Sequence, residues 1–281
     1  VTHDIAGYVS ATNPPATKDL YYRWTTLGAL SPIMRTHHGR DAALNWRWNS
    51  DDETRAHFAR WSRFHQQHFP HWKGLALEAA ESGAPILRPM AFADPGDVRL
   101  VGVRDQYMIG DDYLVAPVLT ASVASRTVLL PRGTWYPLDT PLMPVEGPGE
   151  ITVATPLGKI AVFARAGAIV PLIDAELPSL VGERAQQLID GARVVEVWLG
   201  ADGGTRDARG GTWSLTSSTR PTTPFIQVDG GTDVRSEVLG QLRFSAAANG
   251  TVTLTDDGGS THVLVAAGHA PSLRVQYLVH Y

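Results

Sequence analysis

Three side chains near the start of the chain could act together on one small ligand. Arg35 and His37 flank a single residue, so on an extended backbone both point to the same side. They would offer a guanidinium fork and an imidazole to the same partner. Asp4, in His3-Asp4-Ile5-Ala6-Gly7-Tyr8, is a carboxylate placed just before a glycine turn. There it could accept from a sugar hydroxyl or pair with an arginine; an N-cap or turn role fits it as well. For Arg35 and His37 the competing reading is an arginine that bridges loops beside an exposed histidine.

Other chemistry-bearing residues are weaker signals. His57, His65, His68 and His71 lie along one helical stretch, and the three-residue steps from 65 to 71 could present metal ligands. Pro70 breaks that register and no carboxylate motif accompanies the histidines, so no metal is expected. Trp46 and Trp48 could form a platform for a sugar face, or could anchor their loop by burial. Cysteine is absent, which removes thiol nucleophiles, disulfides and cysteine-ligated zinc. No Gly-x-Ser-x-Gly elbow, His-Glu-x-x-His pair, phosphate loop or dinucleotide fingerprint occurs, and no cofactor is expected.

The whole chain limits the partners further. Its 281 residues, 43% hydrophobic and 19% charged, match an ordinary globular protein of two domains or one large one. A formal net charge of -4 gives no electrostatic case for nucleic acid or for an anionic membrane. No stretch approaches the roughly 20 apolar residues of a membrane-spanning helix.

The elements that must carry these residues change in kind along the sequence. Residues 1 to 84 alternate strand and helix. A helix capped by Thr17 and stopped near Gly28 places Leu20, Trp24 and Leu27 at helical spacing. The apolar run Ala29 to Met34 then reads as a buried parallel strand that delivers Arg35 to His38 to its rim. A second helix, about Asp52 to Phe69 with Asp51 or Asp52 as cap, shows Phe58, Trp61, His65 and Phe69 on one face. Pro70 interrupts it, Leu75 to Ser82 continues it, and Gly83 closes it.

From Pro85 onward short apolar runs alternate with turn signals. Strands are expected at Asp105 to Val118, Arg126 to Tyr136 around a Pro131-Arg132-Gly133 turn, and Gly158 to Leu172. After a polar region near Asp174 to Gln187 they are expected at Val194 to Leu199, Gly211 to Leu215, Thr251 to Leu254 and Thr261 to Ala266. The doublets Gly203-Gly204, Gly230-Gly231 and Gly258-Gly259 each follow an aspartate, which is hairpin chemistry. Calcium loops are the alternative, but the full ligand spacing is missing.

The first part is too short for a complete α/β domain, since a (β/α)8 barrel takes on the order of 250 residues. The economical reading is α/β then all-β: the last two β/α units of a TIM barrel (1 to 84), then proximal (85 to 175) and distal (185 to 281) antiparallel β-sandwich domains. The sequence begins inside a strand pattern, so an N-terminal part of the same polypeptide is an expected partner.

These residues resemble glycoside hydrolase family 31, the retaining α-glucosidases and α-xylosidases. Asp4-Ile5-Ala6-Gly7-Tyr8 is similar to the family's Asp-Ile-Gly-Gly-Phe, and Met34-Arg35-Thr36-His37 to the Met-Arg-Ser-His segment that ends the eighth barrel strand. Leu20-Tyr21-Tyr22-Arg23-Trp24 and Gly28-Ala29-Leu30-Ser31-Pro32 match the segments between them. Gly83 to Pro89, Asp105 to Gly110, Leu114 to Val118, Leu130 to Tyr136 and Pro156 to Gly167 resemble the proximal C-terminal domain. The resemblance covers roughly residues 1 to 172.

It implies that Asp4 and His37 bind sugar hydroxyls in the -1 subsite, that Arg35 braces the pocket, and that Tyr8 lines it. Tyr8 and Met34-Arg35-Thr36-His37, with the following Gly39 and Asn45-Trp46, are also similar to the sulfoquinovosidase branch, where a tyrosine at this position helps to hold the sulfonate. The resemblance places the nucleophile and the acid/base aspartate before this segment, so no catalytic residue is expected in the chain and the piece alone is expected to be inactive. An oligosaccharide or α-glycoside is the expected substrate partner. The alternative parent is a non-catalytic carbohydrate-binding relative.

Overall fold

The computed structural model describes residues 2–8, 14–39, 42–141 and 143–173, and beyond them 192–198, 201, 203–206, 212–217, 226–227, 242–246, 252–255, 261–264 and 272–278. The polar region near 174 to 187 and the doublets 230–231 and 258–259 lie outside the described residues.

The chain opens as a β-α-β unit. Strand β1 (Thr2–Asp4) pairs in parallel with β2 (Ile33–Arg35), and Asp4 stands opposite Arg35 in the register. Helix α1 (Lys18–Ala29) connects them; Thr17 caps it by accepting from the Leu20 N–H. Its buried stripe is Tyr21, Tyr22, Thr25, Thr26 and Ala29, one position away from the expected Leu20-Trp24-Leu27 face, and Leu20 is exposed. Ala29 completes the helix, so the strand is shorter than the apolar run suggested. Gly28 lies inside the helix. A Cβ there would stand 2.8 Å from Ile5 Cδ1, so the glycine lets α1 approach β1 closely.

Two helices follow. Asp51 is the cap of α2 (Asp52–Gln67), accepting from the Thr54 N–H at 2.6 Å. Pro70 does not merely break a helix; it sits in the first turn of a new one, α3 (Phe69–Ser82), where its missing N–H costs nothing. Trp61 is buried and Phe69 is exposed, so the latter leaves the expected apolar face. Gly83 ends α3 at φ 78.

The next strands, β3 (Leu87–Pro89), β4 (Tyr107–Ile109), β5 (Tyr113–Ala116), β6 (Ser125–Pro137), β7 (Val145–Ala154) and β8 (Ala161–Arg165), form one antiparallel sheet in the order β3-β4-β5-β8-β6-β7. Pro131-Arg132-Gly133 is not a hairpin turn. It lies within β6 as an irregularity in the pairing with β7, between Leu130 and Gly133. Strand β7, absent from the sequence reading, alternates half-buried and exposed residues at the edge of this sheet.

The period-2 alternation sorts the sheet's side chains onto two faces. Ile109, Tyr113, Val115, Tyr136, Val162 and Ala164 pack with Trp61, Trp72 and Leu75 of the helices. Met108, Leu114, Ala116, Val128, Trp135 and Phe163 pack on the opposite side with Met90 and Leu100. Burial on both faces is why β5 has no exposed residue.

Strand β9 (Ile169–Leu172) leaves this sheet and pairs antiparallel with β10 (Ala192–Trp198). With β13 (Ile226–Gln227) and β17 (Ser272–Leu278) they form a sheet in the order β13-β17-β10-β9. Strands β11 (Gly203–Arg206), β12 (Thr212–Ser217), β14 (Leu242–Ala246), β15 (Val252–Thr255) and β16 (Thr261–Leu264) form another in that order. Gly203-Gly204 therefore belongs to a strand, paired with Leu215 and Ser214.

Candidate functional site

Parallel pairing of β1 and β2 brings their C-terminal ends side by side, and the candidate residues gather there. Arg35 Nε donates to Asp4 Oδ1 at 2.7 Å, across the register pair. Arg35 Nη2 stands 2.9 Å from His37 Nδ1. A guanidinium can only donate, so Nδ1 accepts and the imidazole carries its proton on Nε2. Arg35 thus holds one oxygen of Asp4 and one nitrogen of His37, leaving Asp4 Oδ2 as an acceptor and His37 Nε2–H as a donor. Such a pair suits adjacent hydroxyls. Side-chain exposures of 20% for Asp4 and 44% for Arg35 leave the group open to a ligand.

Tyr8 joins them through a tight turn. Gly7 N–H donates to Asp4 O at 2.8 Å while Ala6 and Gly7 take φ of 67° and 86°. A buried alanine in the left-handed region is strained. The turn brings the Tyr8 ring edge-on to His37, with centroids 4.8 Å apart. All four residues singled out in the sequence, Asp4, Tyr8, Arg35 and His37, therefore form one contiguous chain of contacts.

Behind Asp4 lies a network that the sequence reading missed. Strand alternation turns His3 to the other face, where Trp24 Nε1–H donates to its Nδ1 at 2.7 Å. Ser31 Oγ gives its own proton to Leu27 O, so the 3.2 Å contact between His3 Nε2 and Ser31 is donated by the imidazole. Burial holds the His3 pKa below its usual value, against the opposing pull of Asp4. The neutral ring fastens β1 to α1. The signal available in sequence was only the period-2 placement of His3 opposite Asp4.

The other histidines do different work. His57 stacks on Tyr22 with ring centroids 4.0 Å apart, and burial lowers its pKa to about 4. His65 Nδ1 lies 3.1 Å from Ala29 O and His68 Nδ1 2.7 Å from Phe64 O. His71 is fully buried 3.6 Å from Asp112 Oδ2. Among the described residues no group of three or more His, Asp or Glu side chains could hold a metal ion.

Trp46 is an anchor. Its Nε1–H donates to Thr54 Oγ1, its backbone N–H donates to Ala16 O, and Lys18 Nζ lies 5.6 Å from the ring centroid. Asn45 Oδ1 accepts the Ala16 N–H, so residues 45 and 46 clamp the loop before α1. Trp48 is exposed. Elsewhere, a cavity of about 770 Å³ between α2 and the sheet is lined by Phe64, Leu138, Val145, Ile151, Arg60 and Arg63, among others. None of the strand-end residues borders it.

Residues 1–75 match the family model described as the glycosyl hydrolases family 31 TIM-barrel domain, and residues 83–170 match the family 31 C-terminal domain. A sulfoquinovosidase of Agrobacterium fabrum is 39% identical over 164 residues, 58% of this chain and 24% of the relative. The structure of a family 31 sulfoquinovosidase from E. rectale, in complex with an aza-sugar inhibitor, aligns with a TM-score of 0.56 at 34% identity, covering 60% of this chain and 25% of that one. A family 31 dextranase from Flavobacterium johnsoniae, at 20% identity, shares the fold over 93% of this chain and 39% of its own, with a TM-score of 0.60. The chain thus spans about a quarter of the length of the sulfoquinovosidases it matches. It belongs to glycosyl hydrolase family 31, of which it holds the TIM-barrel end and the C-terminal domain.

Proposed function

We propose that this chain is part of a retaining α-glycosidase and supplies residues of its -1 sugar subsite. Residues 1–84 form the last two β/α units of the (β/α)8 barrel; 85–175 and 185–281 form proximal and distal C-terminal β-sandwich domains. The observation that carries the reading is the Asp4-Arg35-His37 chain of hydrogen bonds at adjacent parallel strand ends. That rim is where barrel enzymes carry their chemistry.

In this role Asp4 Oδ2 accepts from one sugar hydroxyl and His37 Nε2–H donates to its neighbour, while Arg35 keeps both oriented. Tyr8 walls the pocket. A retaining mechanism also needs a nucleophile and an acid/base carboxylate ~5 Å apart on either side of the glycosidic bond. Those two groups belong to barrel strands before residue 1, and Asp4, engaged by Arg35, takes neither role. The substrate we favour is an α-sulfoquinovoside, because Tyr8 is exposed beside His37 and relatives bearing that activity's name align at 34% to 39% identity.

The test is a panel of aryl α-glucosides, α-xylosides and α-sulfoquinovosides on the full-length gene product that contains this chain. Turnover, with the sulfoquinovoside preferred, is expected, together with none by the 281-residue chain alone. Sugar binding without turnover would point to a non-catalytic relative, and turnover by the chain alone would overturn the placement of the carboxylates.

A further inference from the structure

Gly39 leaves the Tyr8 ring a place that any side chain at 39 would contest. Its N–H donates to Tyr8 O at 2.8 Å, fixing the two backbones against each other. A Cβ built on it would lie 2.6 Å from Tyr8 Cζ, and 2.9 and 3.0 Å from the two Cε atoms. Its φ lies outside the left-handed region, so what a side chain here would meet is the Tyr8 ring and not backbone strain. The same Tyr8 ring is the one that rests edge-on against His37.

We propose that Gly39 is a positioning residue of the strand-end site: the missing side chain at 39 is what allows the Tyr8 ring to lie against His37. This rests on the reading above of Tyr8 and His37 as sugar contacts. A methyl group at 39 cannot be absorbed by separating the two backbones without breaking the Gly39–Tyr8 hydrogen bond. The ring must move instead, and because 46% of Tyr8 is exposed it has room to do so. It leaves the His37 edge, and the imidazole is then held from one side only, by Arg35. Positions 8 and 39 are therefore a coupled pair, in which a side chain at 39 sets where the Tyr8 ring can lie.

The test compares Gly39→Ala, Tyr8→Ala and the double variant in the full-length gene product. Gly39→Ala is expected to raise KM about tenfold with a smaller effect on kcat, since a displacement below about 1 Å is enough to lose productive contacts. In the Tyr8→Ala background the same substitution is expected to change KM by less than about twofold, because the ring it strikes is gone. A Gly39→Ala enzyme within twofold of the parent, or an equal penalty in both backgrounds, overturns the proposal; general misfolding gives the second result.

A second readout needs no turnover. The ring protons of His37 feel the Tyr8 ring current, and Gly39→Ala is expected to move their NMR shifts toward those of Tyr8→Ala. Unmoved shifts overturn the proposal. Moved shifts in a protein that turns over no α-glycoside support it and count against the proposed function instead.

Discussion

Replacing Asp112 with asparagine should make the protein more stable near neutral pH, by an amount that grows with pH. Asp112 lies between β4 and β5, fully enclosed, 3.6 Å from His71 of α3, and its carboxyl takes a hydrogen bond from the Ile169 backbone. That separation would allow an ion pair. Burial argues against one, with Arg88 and His68 near the imidazole, so the pair is held as a neutral acid beside a neutral ring. Burial, reinforced by Asp111 and opposed by Arg88, raises the Asp112 pKa from 3.8 to about 8. Burial, with His68 and Arg88, lowers that of His71 from 6.5 to about 3.

The proton count then sets the signs. Between pH 3.8 and 6.5 the folded pair holds one proton, on Asp112, and the unfolded pair also holds one, on His71. Stability from the pair is flat there. From 6.5 to about 8 the folded state alone keeps its proton, so stability falls as pH rises. Below 3.8 the unfolded state gains a second proton and stability falls as pH drops. Asparagine keeps the acceptor for Ile169 and cannot ionise, so only the His71 branch remains, flat above 6.5 and falling below it.

The difference between variant and parent therefore rises by about 1.4 kcal/mol per pH unit across this window, or about 3 kcal/mol from pH 5 to pH 7. Urea unfolding of both proteins at pH 5, 6 and 7 measures it directly, and groups common to both cancel. A free-energy difference independent of pH across this range would mean that Asp112 is already ionised in the fold beside a neutral His71, and would refute the neutral acid.

Three further outcomes follow from local geometry. Ala6→Gly removes a left-handed alanine and should raise stability by up to about 1 kcal/mol in denaturant unfolding, the gain being limited by the freer unfolded chain; a loss would show that the turn is not strained. Gly28→Ala drives a Cβ into buried Ile5 and should cost about 1 to 3 kcal/mol, with Ile5→Val, which removes Cδ1, restoring part of it; equal costs in both backgrounds would exclude that contact as the cause. His3 should titrate below 6.5 by NMR, and because its folded pKa is depressed, its share of the stability is complete above 6.5 and is lost as pH falls; a His3 titrating above 6.5 would contradict the Trp24-His3-Ser31 network.

What could be read from the sequence was what depends on neighbours along the chain. Thr17, Asp51 and Gly83 were recognisable as caps because a cap is made within a few residues. The shared side of Arg35 and His37 followed from strand periodicity. What escaped depended on contacts distant in sequence. Strand β7 contains Gly147, Pro148 and Gly149, which read as turn residues, and only pairing with β6 makes it a strand. Pro131-Arg132-Gly133 carries the same local chemistry whether it ends a strand or bends one. The buried face of α1 is set by Ile5 and Phe58, which its own spacing cannot reveal. The clash that ties Gly39 to Tyr8 spans most of the β-α-β unit.

The central claim, that the β1 and β2 ends form a sugar-binding rim organised by Arg35, is tested most directly by Asp4→Asn in the full-length gene product. The substitution keeps the shape, removes the charge that Arg35 holds and weakens the acceptor offered to the sugar. The account predicts a fall in kcat/KM of about 100-fold or more with an unchanged melting profile. Activity within about twofold of the parent would place the sugar elsewhere and contradict it.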